Sequence, residues 1–402
     1  MKKCCVFGLG YIGLPTAAIL ANSEFKVRGI DINKKIIKNL EIGKIHILEK
    51  GLDILVKDCI CKKNLIVSLE PSPADIFIIA VPTPFHKNEK NGIKQPNLDY
   101  VFKAAKSISK FIKRENLVIL ESTSPVGTSS KVAKIISENS NLNEEEINVA
   151  YCPERVLPGN IIYELINNDR VIGGLTEKAS EMAKNLYETF CKGKLLITNA
   201  KTAELIKLTE NSFRDVNLAF ANELSMICSQ YNINTKELIT LANFHPRVNI
   251  LNPGCGVGGH CIAVDPWFLI YDLPKHTELI KKARELNNEK TLWVLKQIKE
   301  KVSKIEKNLN YKINIGCLGI TFKQDVDDTR ESPAYLIVKR LLDENYNVLP
   351  CEPNINSQID IKLYDLKETL KKSDLIVILV PHKEFRNLNL KNNIFLDFTN
   401  TF

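Results

Sequence analysis

Short apolar runs alternate with helical patterns through the first part of the chain. An apolar run over 3–9 precedes a small-residue helix over 14–21 and a second strand over 25–32, and further buried strands follow at 75–81 and 116–121. Continuous apolar strands separated by helices are typical of a parallel sheet that is covered on both faces. We therefore expect a doubly wound α/β domain that binds its ligands at the carboxyl ends of the strands.

A glycine motif lies between the first strand and the first helix. Gly8, Gly10 and Gly13 have the spacing G-x-G-x-x-G, and Asp31 follows the last glycine by 18 residues, at the end of the second strand. The alternative is a glycine-rich turn and a solvated acid, but the strand, turn, helix, strand and acid together indicate a dinucleotide site. Because Asp31 accepts hydrogen bonds from ribose hydroxyls and repels a 2′-phosphate, we predict NAD rather than NADP.

The middle of the chain predicts helices instead. Neither glycine nor proline occurs from Lys194 to His245 or from Lys275 to Ile315, and both stretches show helical periodicity. We predict one long helix over 201–230, long enough to cross a domain. A loop rich in glycine and proline, 253–266, separates the two stretches.

After residue 310 the opening pattern returns as four strands in the same order. The chain repeats KKCCVFGLGYIG, FKVRGIDIN, ADIFIIAVP and ENLVILEST as KINIGCLGITF, YNVLPCEPN, SDLIVILVP and NNIFLDFTN. The repetition predicts a second, smaller Rossmann-like domain. Its glycine motif is incomplete and Glu352 takes the place of Asp31, so we expect no second NAD there.

These patterns predict an α/β protein with two Rossmann-like, doubly wound parallel-sheet domains joined by a central helical domain with one long helix. The predicted boundaries are 1–198 for the NAD-binding domain, 199–305 for the helical domain with its cysteine loop and 306–402 for the second Rossmann-like domain.

Composition narrows the class of protein. The chain has 402 residues, 44% hydrophobic and 25% charged, as expected of a globular protein with two or three domains. Its net charge of +8 suits an anionic small substrate as well as a nucleic acid. No apolar run approaches the roughly 20 residues that cross a bilayer, so we expect no membrane span. Eleven scattered cysteines favour a reducing cytoplasm over a disulfide framework.

Cys261 is the candidate nucleophile of the glycine-rich loop. It follows Gly258, Gly259 and His260, and such glycines permit a tight backbone that leaves a thiol open to substrate. Three interpretations compete: a covalent nucleophile, a small buried hydrophobe, or a metal ligand together with Cys255 and His260. No second Cys/His pair has a ligand spacing, so we expect no metal.

A polar stripe runs along the predicted long helix. Lys207, Asn211 and Arg214 lie at i, i+4 and i+7, on one face. The opposite side is predicted to be core and carries Leu205, Leu208, Val216 and Ala219. Such a stripe is either a solvated face or a face turned to a cleft, where an amide and two cations hold an anionic substrate and stabilise an oxyanion.

Seven motifs, in order and over nearly the whole chain, resemble those of the UDP-sugar 6-dehydrogenases, the UDP-glucose/GDP-mannose dehydrogenase family. They are GLGYIGLP, VPTP, EST-x-PVGT, PERVLPG (153–159), AELIKLTENSFRDVN (203–217), GVGGHCIAVDP (256–266) and FKQDVDDTRESP (322–333). The segment HPRVNIL (245–251) is similar to the branch that acts on UDP-N-acetyl-D-mannosamine.

The resemblance implies a four-electron oxidation of a sugar C6 alcohol to a carboxylate, with two NAD reduced per turnover. It assigns the first base to Lys207 or, through water, to Asp265, and the thiohemiacetal and thioester to Cys261. Lys207 and Asn211 then stabilise the oxyanion, and Glu154 activates the hydrolytic water.

The resemblance also implies binding residues and partners. The cofactor contacts are Gly8, Gly10, Tyr11, Ile12, Gly13, Asp31, Thr83, Thr123 and Arg330. The UDP-sugar contacts are Arg155, Val156, Lys207, Asn211, Arg214, His245, Arg247, Gly258 and Lys323, and 306–402 becomes the UDP-sugar-binding domain. Since the Arg247 position often reaches a neighbouring subunit's site in this family, we expect a homodimer or homotetramer, with no nucleic acid or membrane partner.

Alternatives remain open at the level of substrate and chemistry. The same chemistry on UDP-N-acetylglucosamine or UDP-glucose is one, and a two-electron NAD-dependent hydroxyacid dehydrogenase, which needs no cysteine, is another. A non-catalytic NAD-binding protein would not require Lys207, Asn211 and Cys261 together.

The chain departs from the family pattern at two positions. Cys255 replaces the usual proline, six residues before Cys261, and we hypothesise that oxidation pairs the two thiols and inactivates the protein. Ile36 replaces an arginine that some relatives use for the adenosine ribose, with Lys34 or Lys35 as weak substitutes.

Overall fold

The computed structural model describes the chain except residues 24, 48, 87–91, 158, 356–358, 391, 392 and 402. Pro158 of the motif at 153–159 therefore lies outside the described residues. The chain forms two compact units, Met1–Thr209 and Glu210–Phe402. The predicted three-domain division, with its boundaries, stays a prediction.

Unit 1 is an α/β unit in which strands and helices alternate. Its strands are β1 (Lys3–Phe7), β2 (Lys26–Ile30), β3 (Leu65–Ser68), β4 (Ile76–Ile79), β5 (Leu117–Leu120), β6 (Asn148–Tyr151), β7 (Arg170–Gly174) and β8 (Leu195–Asn199). Its helices are α1 (Gly13–Asn22), α2 (Lys34–Glu41), α3 (Leu52–Cys61), α4 (Asp99–Ile108), α5 (Thr128–Glu138), α6 (Ile161–Asn167) and α7 (Glu177–Tyr187), with a short 3₁₀ helix at Glu144–Glu146.

The eight strands of unit 1 form one sheet in the order β3-β2-β1-β4-β5-β6-β7-β8. All neighbours are parallel except β6 and β7. The first six strands have the order of a dinucleotide-binding fold, whose direction of winding reverses between β1 and β4. A ligand crevice is therefore expected at the carboxyl ends of these two strands.

The sheet of unit 1 separates two hydrophobic cores. Alternate residues of β1 point to opposite faces, so Cys4 and Val6 belong to one core while Cys5 and Phe7 belong to the other. Because both faces are covered, β4 and β5 are apolar throughout and β1 is apolar after Lys3, which explains the continuous apolar runs in the sequence.

The long helix α8 (Ala200–Tyr231) begins in unit 1 and ends in unit 2. The rest of unit 2 contains α9 (Thr235–Ala242), α10 (Asp265–Asp272), α11 (Glu278–Leu309), β9 (Asn314–Leu318), α12 (Pro333–Asp343), β10 (Asn347–Cys351), α13 (Leu366–Lys372), β11 (Leu375–Ile378), a 3₁₀ turn at Lys383–Phe385 and β12 (Ile394–Asp397).

The four strands of unit 2 form a parallel sheet in the order β10-β9-β11-β12. They are the four repeated segments predicted from the sequence. The two α/β units, whose sheets are largely parallel, and the long helix α8 confirm the predicted fold class. The helix α11 is a second helix of 32 residues and lies within the second predicted helical stretch. None of the described helices has the length and apolarity to span a membrane.

The packing of α8 corrects the predicted faces of this helix. Leu205, predicted to be core, is 44% exposed, whereas Leu208 and Ala219 are buried as predicted. Lys207 and Asn211 are buried but Arg214, the third residue of the stripe, is exposed. The helix also buries other polar side chains: Glu204, Ser212, Asp215 and Asn222. Its buried face is thus more polar than hydrophobic periodicity alone predicts.

Candidate active site

The glycine motif forms a turn in which side chains would collide. Gly8 has a φ of +88°, and a Cβ on it would lie 2.6 Å from the carbonyl oxygen of Ala80. A Cβ on Gly13 would lie 1.8 Å from the carbonyl oxygen of Gly8. Nothing lies within 4 Å of the Cβ position of Gly10, so the backbone there is open to a ligand. The turn leads directly into α1, whose N-terminal N–H groups favour an anion.

Asp31 lies at the carboxyl end of β2, beside this turn. Its Oδ2 accepts a hydrogen bond from the backbone N–H of Leu9 at 3.0 Å, and Oδ1 accepts one from Asn33 at 2.8 Å. The carboxylate is half-buried, so its orientation is fixed while acceptor capacity remains. The open backbone at Gly10 and the oriented Asp31 fit the pyrophosphate and ribose of NAD.

Thr83 and Thr123, both predicted cofactor contacts, meet at the carboxyl ends of β4 and β5. The hydroxyl of Thr83 donates to the carbonyl oxygen of Thr123 at 2.7 Å. The segment that follows Thr123 is fixed by Glu204, whose carboxylate accepts from the backbone N–H groups of Gly127 and Ser129 at 2.6 and 2.7 Å. Sequence reasoning missed Glu204, which caps the N-terminus of α5.

Lys207 and Glu154, two predicted catalytic residues, also meet in unit 1. The Nζ of Lys207 donates to the backbone carbonyl of Glu154 at 2.8 Å. The carboxylate of Glu154 accepts from the backbone N–H of Arg155 at 2.8 Å and forms a buried ion pair with Arg170 at 2.8 Å. Arg170 was not predicted. It fixes Glu154, and thereby the carbonyl that holds Lys207.

A second buried carboxyl, Glu121, lies at the end of β5. Its oxygens accept from the hydroxyls of Tyr187 at 2.8 Å and Thr16 at 3.4 Å. Burial, together with repulsion from the carboxylate of Glu154, raises the pKa of Glu121 to about 7. Arg170, which stacks its guanidinium 4.5 Å from the ring centre of Tyr187, acts in the opposite direction.

In unit 2, Asn211 and Asp265 are joined directly. The Nδ2 of Asn211 donates to Oδ2 of Asp265 at 2.5 Å, and both side chains are buried. Asp265 is the first residue of α10, and its backbone N–H donates to the carbonyl oxygen of Cys261 at 2.8 Å. Val264 donates to the same carbonyl at 2.9 Å. The start of α10 therefore fixes the backbone of Cys261, whose side chain is exposed.

Glycines shape the loop that precedes Cys261. A Cβ on Gly258 would lie 2.3 Å from the carbonyl oxygen of Glu331. Gly259 has a φ of +81°, and its Cβ would lie 2.8 Å from the ring of Phe322. Both positions therefore require glycine, as expected for the tight backbone predicted beside the candidate nucleophile. Among the described residues no group of His, Cys, Asp and Glu is arranged to hold a metal ion.

A buried polar network between α8 and α11 supports this loop. Arg284 donates to Oδ1 of Asp215 at 2.7 Å and to the carbonyl of Val257 at 3.2 Å. Asn287 donates to the same carboxylate oxygen at 2.8 Å and accepts from Asn222, whose Oδ1 holds the N–H of Gly254 at 2.9 Å.

Burial is the main cause of the pKa shifts of Asp215 and Arg284, the charged pair of this network. It raises the pKa of Asp215 to about 6 in spite of the opposing guanidinium, and it lowers the pKa of Arg284. The sequence signal for the network is the seven-residue spacing of Asp215 and Asn222 on one helix, opposite polar residues on another.

Cys255 differs from Cys261 in its exposure to solvent. It is buried, its Sγ donates to the carbonyl of Leu379 at 3.1 Å, and burial raises its pKa to about 12. These properties disfavour the disulfide hypothesised from the sequence. The nearby Lys290 is also buried and donates to Ser225 at 2.6 Å, and burial lowers the pKa of Lys290 to about 8.

The remaining predicted substrate residues of unit 1 lie together after β6. The guanidinium of Arg155 donates to the carbonyl of Asp169 at 2.5 Å. Val156 packs beside Ile161 and Leu165. Tyr11 and Ile12, the predicted cofactor contacts between Gly10 and Gly13, are half-buried at the start of α1.

The other predicted residues of unit 2 are exposed. Arg214, His245, Arg247 and Lys323 all present their side chains to solvent. Arg330 forms a bidentate pair with Asp328 and lies 3.5 Å from Nδ1 of His260. Although burial acts to raise it, the hydrogen bonds from Arg330 hold the pKa of Asp328 below its ordinary value.

Three family models match the chain in order. The NAD-binding domain of the UDP-glucose/GDP-mannose dehydrogenase family matches residues 2–191 and its central domain matches 201–289. The UDP-binding domain of the same family matches 316–402. The chain belongs to the UDP-glucose/GDP-mannose dehydrogenase family. The predicted resemblance and the predicted cofactor, NAD, are confirmed.

Individual members of the UDP-glucose/GDP-mannose dehydrogenase family resemble the chain over almost its full length. The UDP-N-acetyl-D-mannosamine dehydrogenase of Campylobacter jejuni is 53% identical, over 96% of each chain. The NDP-N-acetyl-D-galactosaminuronic acid dehydrogenase of Ralstonia nicotianae is 46% identical, over 98% of this chain and 95% of that protein. The solved UDP-D-ManNAc dehydrogenase of Pyrococcus horikoshii has a TM-score of 0.88 at 37% identity, over 100% of this chain and 96% of that one.

Proposed function

We propose that this chain oxidises the C6 alcohol of UDP-N-acetyl-D-mannosamine to the carboxylate. Each sugar consumes two NAD⁺ and one water and yields UDP-N-acetyl-D-mannosaminuronate, two NADH and three protons. The observation that carries the proposal is the 53% identity, across 96% of both chains, to a UDP-N-acetyl-D-mannosamine dehydrogenase. The cysteine loop, which a two-electron hydroxyacid dehydrogenase does not need, supports the four-electron reaction.

Cys261 is the proposed covalent nucleophile. Its exposed sulfur adds to the aldehyde carbon left by the first oxidation and forms a thiohemiacetal. Loss of the second hydride gives a thioester, and water then breaks the C–S bond to release the carboxylate and restore the thiol. Because the intermediate stays bonded to sulfur, no free aldehyde is released.

Asn211 and Lys207 are the proposed oxyanion donors. A side-chain amide has two N–H donors, and Asp265 accepts one of those of Asn211, which orients the other. Lys207 is held in the same way by the carbonyl of Glu154 and keeps two further N–H donors. As a base for the first step, either Lys207 or Asp265 acting through water fits the proposal.

Glu154 is the proposed residue for the hydrolytic water. Both of its oxygens already accept a hydrogen bond, one from Arg170 and one from the backbone of Arg155, and each has a second lone pair for a water. The ion pair with Arg170 fixes the orientation of this carboxylate.

NAD, when bound, supplies the hydride acceptor for both oxidations. The proposed NAD contacts are Gly8, Gly10, Tyr11, Ile12, Gly13, Asp31, Thr83, Thr123 and Arg330. The proposed UDP-sugar contacts are Arg155, Val156, Lys207, Asn211, Arg214, His245, Arg247, Gly258 and Lys323.

The proposal includes self-association as a homodimer or homotetramer. Phe213, Phe220 and Ile227 follow one another at seven-residue intervals on α8 and are 66%, 51% and 46% exposed. An apolar stripe of this spacing suits pairing with the same helix of a second copy. We expect the molar mass from light scattering to be at least that of a dimer. The double variant Phe213→Glu/Phe220→Glu should have a lower molar mass than wild type. A wild-type monomer would contradict this part of the proposal.

We propose a reducing cytoplasm as the compartment of this protein. The cysteines support this compartment, because all eleven are free thiols. Nine of them are buried or half-buried, and one of the two exposed ones, Cys261, is the proposed nucleophile. An oxidising compartment would oppose a mechanism that needs the Cys261 thiol.

The decisive experiment measures NADH formed per sugar with limiting UDP-N-acetyl-D-mannosamine and excess NAD. We expect about two NADH per sugar, and no acid from Cys261→Ser. One NADH per sugar would contradict the thioester route. Parallel reactions with UDP-N-acetylgalactosamine, UDP-N-acetylglucosamine and UDP-glucose test which sugar is the substrate. Faster turnover of any of these would make that sugar the substrate and leave the proposed mechanism unchanged.

A further inference from the structure

Glu352 occupies in the second sheet the place that Asp31 occupies in the first, yet its hydrogen bonds are used differently. Its Oε2 accepts from the N–H of Ile320 at 2.8 Å and from the ring of His382 at 2.9 Å. Its Oε1 accepts from the N–H of Asn354 at 3.0 Å, and the side chain is fully buried. Further donors at 3.3 Å on both oxygens fill the roughly four acceptor positions of a carboxylate. Glu352 therefore has no capacity for a ribose.

The hydrogen bonds of His382 define its tautomer. Its Nδ1 lies 2.9 Å from the backbone nitrogen of Asp325, which can only donate, so Nδ1 is an acceptor. The amide of Asn354 donates to the same atom at 3.0 Å. The ring proton is therefore on Nε2 and is donated to Glu352. His382 is completely buried, so this arrangement is protected from water.

These two side chains fix the turn at 321–325, which follows β9. Asp325 has a left-handed φ of +57°, and besides its N–H bond to His382 its carboxylate accepts from the N–H of Lys383 at 3.1 Å. At the other end, the hydroxyl of Thr321 donates to the carbonyl of Lys323 at 2.8 Å. The backbone of Lys323 is thus held on both sides while its side chain is exposed. A strained residue held by surrounding bonds is common at ligand sites.

We propose that His382 and Glu352 are positioning residues that hold the turn 321–325 so that Lys323 contacts the UDP-sugar. Asp31 is the proposed ribose contact of the first Rossmann-like sheet, whereas Glu352, at the matching position of the second sheet, accepts the hydrogen bond of His382 and helps to hold this turn. The inference rests on the proposed function, because Lys323 has a ligand to meet only if the chain binds a UDP-sugar.

The test compares three replacements of His382 by their affinity for UDP. His382→Asn keeps an acceptor near the Nδ1 position, His382→Gln keeps a donor near Nε2, and His382→Phe keeps the ring but neither bond. We expect the Kd for UDP to rise by about tenfold or more in the Gln and Phe variants, and by less than about threefold in the Asn variant. In turnover, the KM for the UDP-sugar rises in parallel while kcat changes little.

Two controls separate positioning from stability. Glu368→Gln, at a half-buried position of α13, should bind UDP like wild type. The Kd for NAD, measured on every variant, should stay unchanged. If the Gln and Phe variants bind UDP as tightly as wild type, even with a lower melting temperature, His382 is only structural and the inference is wrong. If wild type itself does not bind UDP, the proposed function fails first, and the inference with it.

Discussion

The amide of Asn211 donates to the carboxylate of Asp265 at 2.5 Å, and both side chains are buried in unit 2. The two residues are 54 positions apart in the chain, one on α8 and the other at the first position of α10. Because Asp265 also donates its backbone N–H to the carbonyl of Cys261, one residue orients both a proposed oxyanion donor and the proposed nucleophile. The N-terminus of the short helix α10 thus orients both Asn211 and Cys261, the proposed catalytic pair.

Exchanging Asn211 and Asp265 separates the structural role of their hydrogen bond from the proposed chemical role of Asn211. Asn211→Asp alone brings two carboxylates together, and we expect kcat to fall by about 100-fold or more. The double variant Asn211→Asp/Asp265→Asn restores a hydrogen bond with reversed polarity, so its melting temperature should recover. Its kcat should stay low, because the oxyanion then faces a carboxylate. Recovery of kcat in the double variant would show that Asn211 is not an oxyanion donor.

The buried ion pair of Arg284 and Asp215 predicts a stability difference in unit 2. Arg284→Met leaves the buried carboxylate of Asp215 without its cation, and we expect a loss of about 3–5 kcal/mol in the free energy of unfolding. The apolar double variant Arg284→Met/Asp215→Leu should recover most of it. Both tryptophans, Trp267 and Trp293, lie in unit 2, so fluorescence during urea denaturation reports on this unit. Equal losses in the single and double variants would contradict the prediction.

Glu121 predicts a pH dependence of stability in unit 1. Its pKa in the folded chain, about 7, exceeds the ordinary value of 4.5, so the folded state binds this proton more tightly than the unfolded state does. The stabilisation of the folded state by this proton is complete below pH 4.5 and is lost as the pH rises through about 7. Glu121→Gln mimics the protonated form, so relative to wild type it should gain up to about 3 kcal/mol between about pH 5 and about pH 8. Urea denaturation followed by circular dichroism at several pH values measures the difference, and a pH-independent difference would contradict it.

The sequence predicted most of the fold because the decisive signals are local. Glycine spacing, apolar strands and the absence of breakers from Lys194 to His245 gave both sheets and the long helix, which runs from Ala200 to Tyr231. The assignment of Leu205 to the core was wrong because hydrophobic periodicity assumes an apolar buried face. On α8 the buried face contains Asp215 and Asn222, whose burial is possible only because α11 supplies partners.

The sequence could propose residues for the candidate site but not their contacts. Cys261, Asn211 and Asp265 were proposed from residue type and motif, whereas the bonds that connect them depend on where α8 and α10 pack. Arg170 and His382 were missed for the same reason. A single buried charge or histidine has no periodic signal, and each is held by a partner that follows another strand of the sheet. The roles of the predicted site residues stay predictions until the variants are measured.

Asp31 predicts the choice of cofactor. Its carboxylate is oriented by the N–H groups of Leu9 and Asn33 and leaves no favourable place for a 2′-phosphate. In the variant Asp31→Ser/Ile32→Arg the repulsion is removed and a cation is added at an exposed position. We expect the ratio of kcat/KM for NADP to that for NAD to rise by about 100-fold. Ile32→Arg alone serves as the control, and an equal rise there would show that Asp31 does not set the preference.

The two cysteines of the 253–266 loop predict opposite reactivities. Cys261 is exposed, whereas the thiol of Cys255 is buried, donates to a backbone carbonyl and has its pKa raised by burial to about 12. Since only a thiolate is alkylated, iodoacetamide should label Cys261 and leave Cys255 unmodified, as read by peptide mass spectrometry. Saturating UDP-sugar should slow the labelling of Cys261. For the same reason, peroxide should inactivate wild type and Cys255→Ala at equal rates. Slower inactivation of Cys255→Ala would instead restore the hypothesis that the two thiols form a regulatory disulfide.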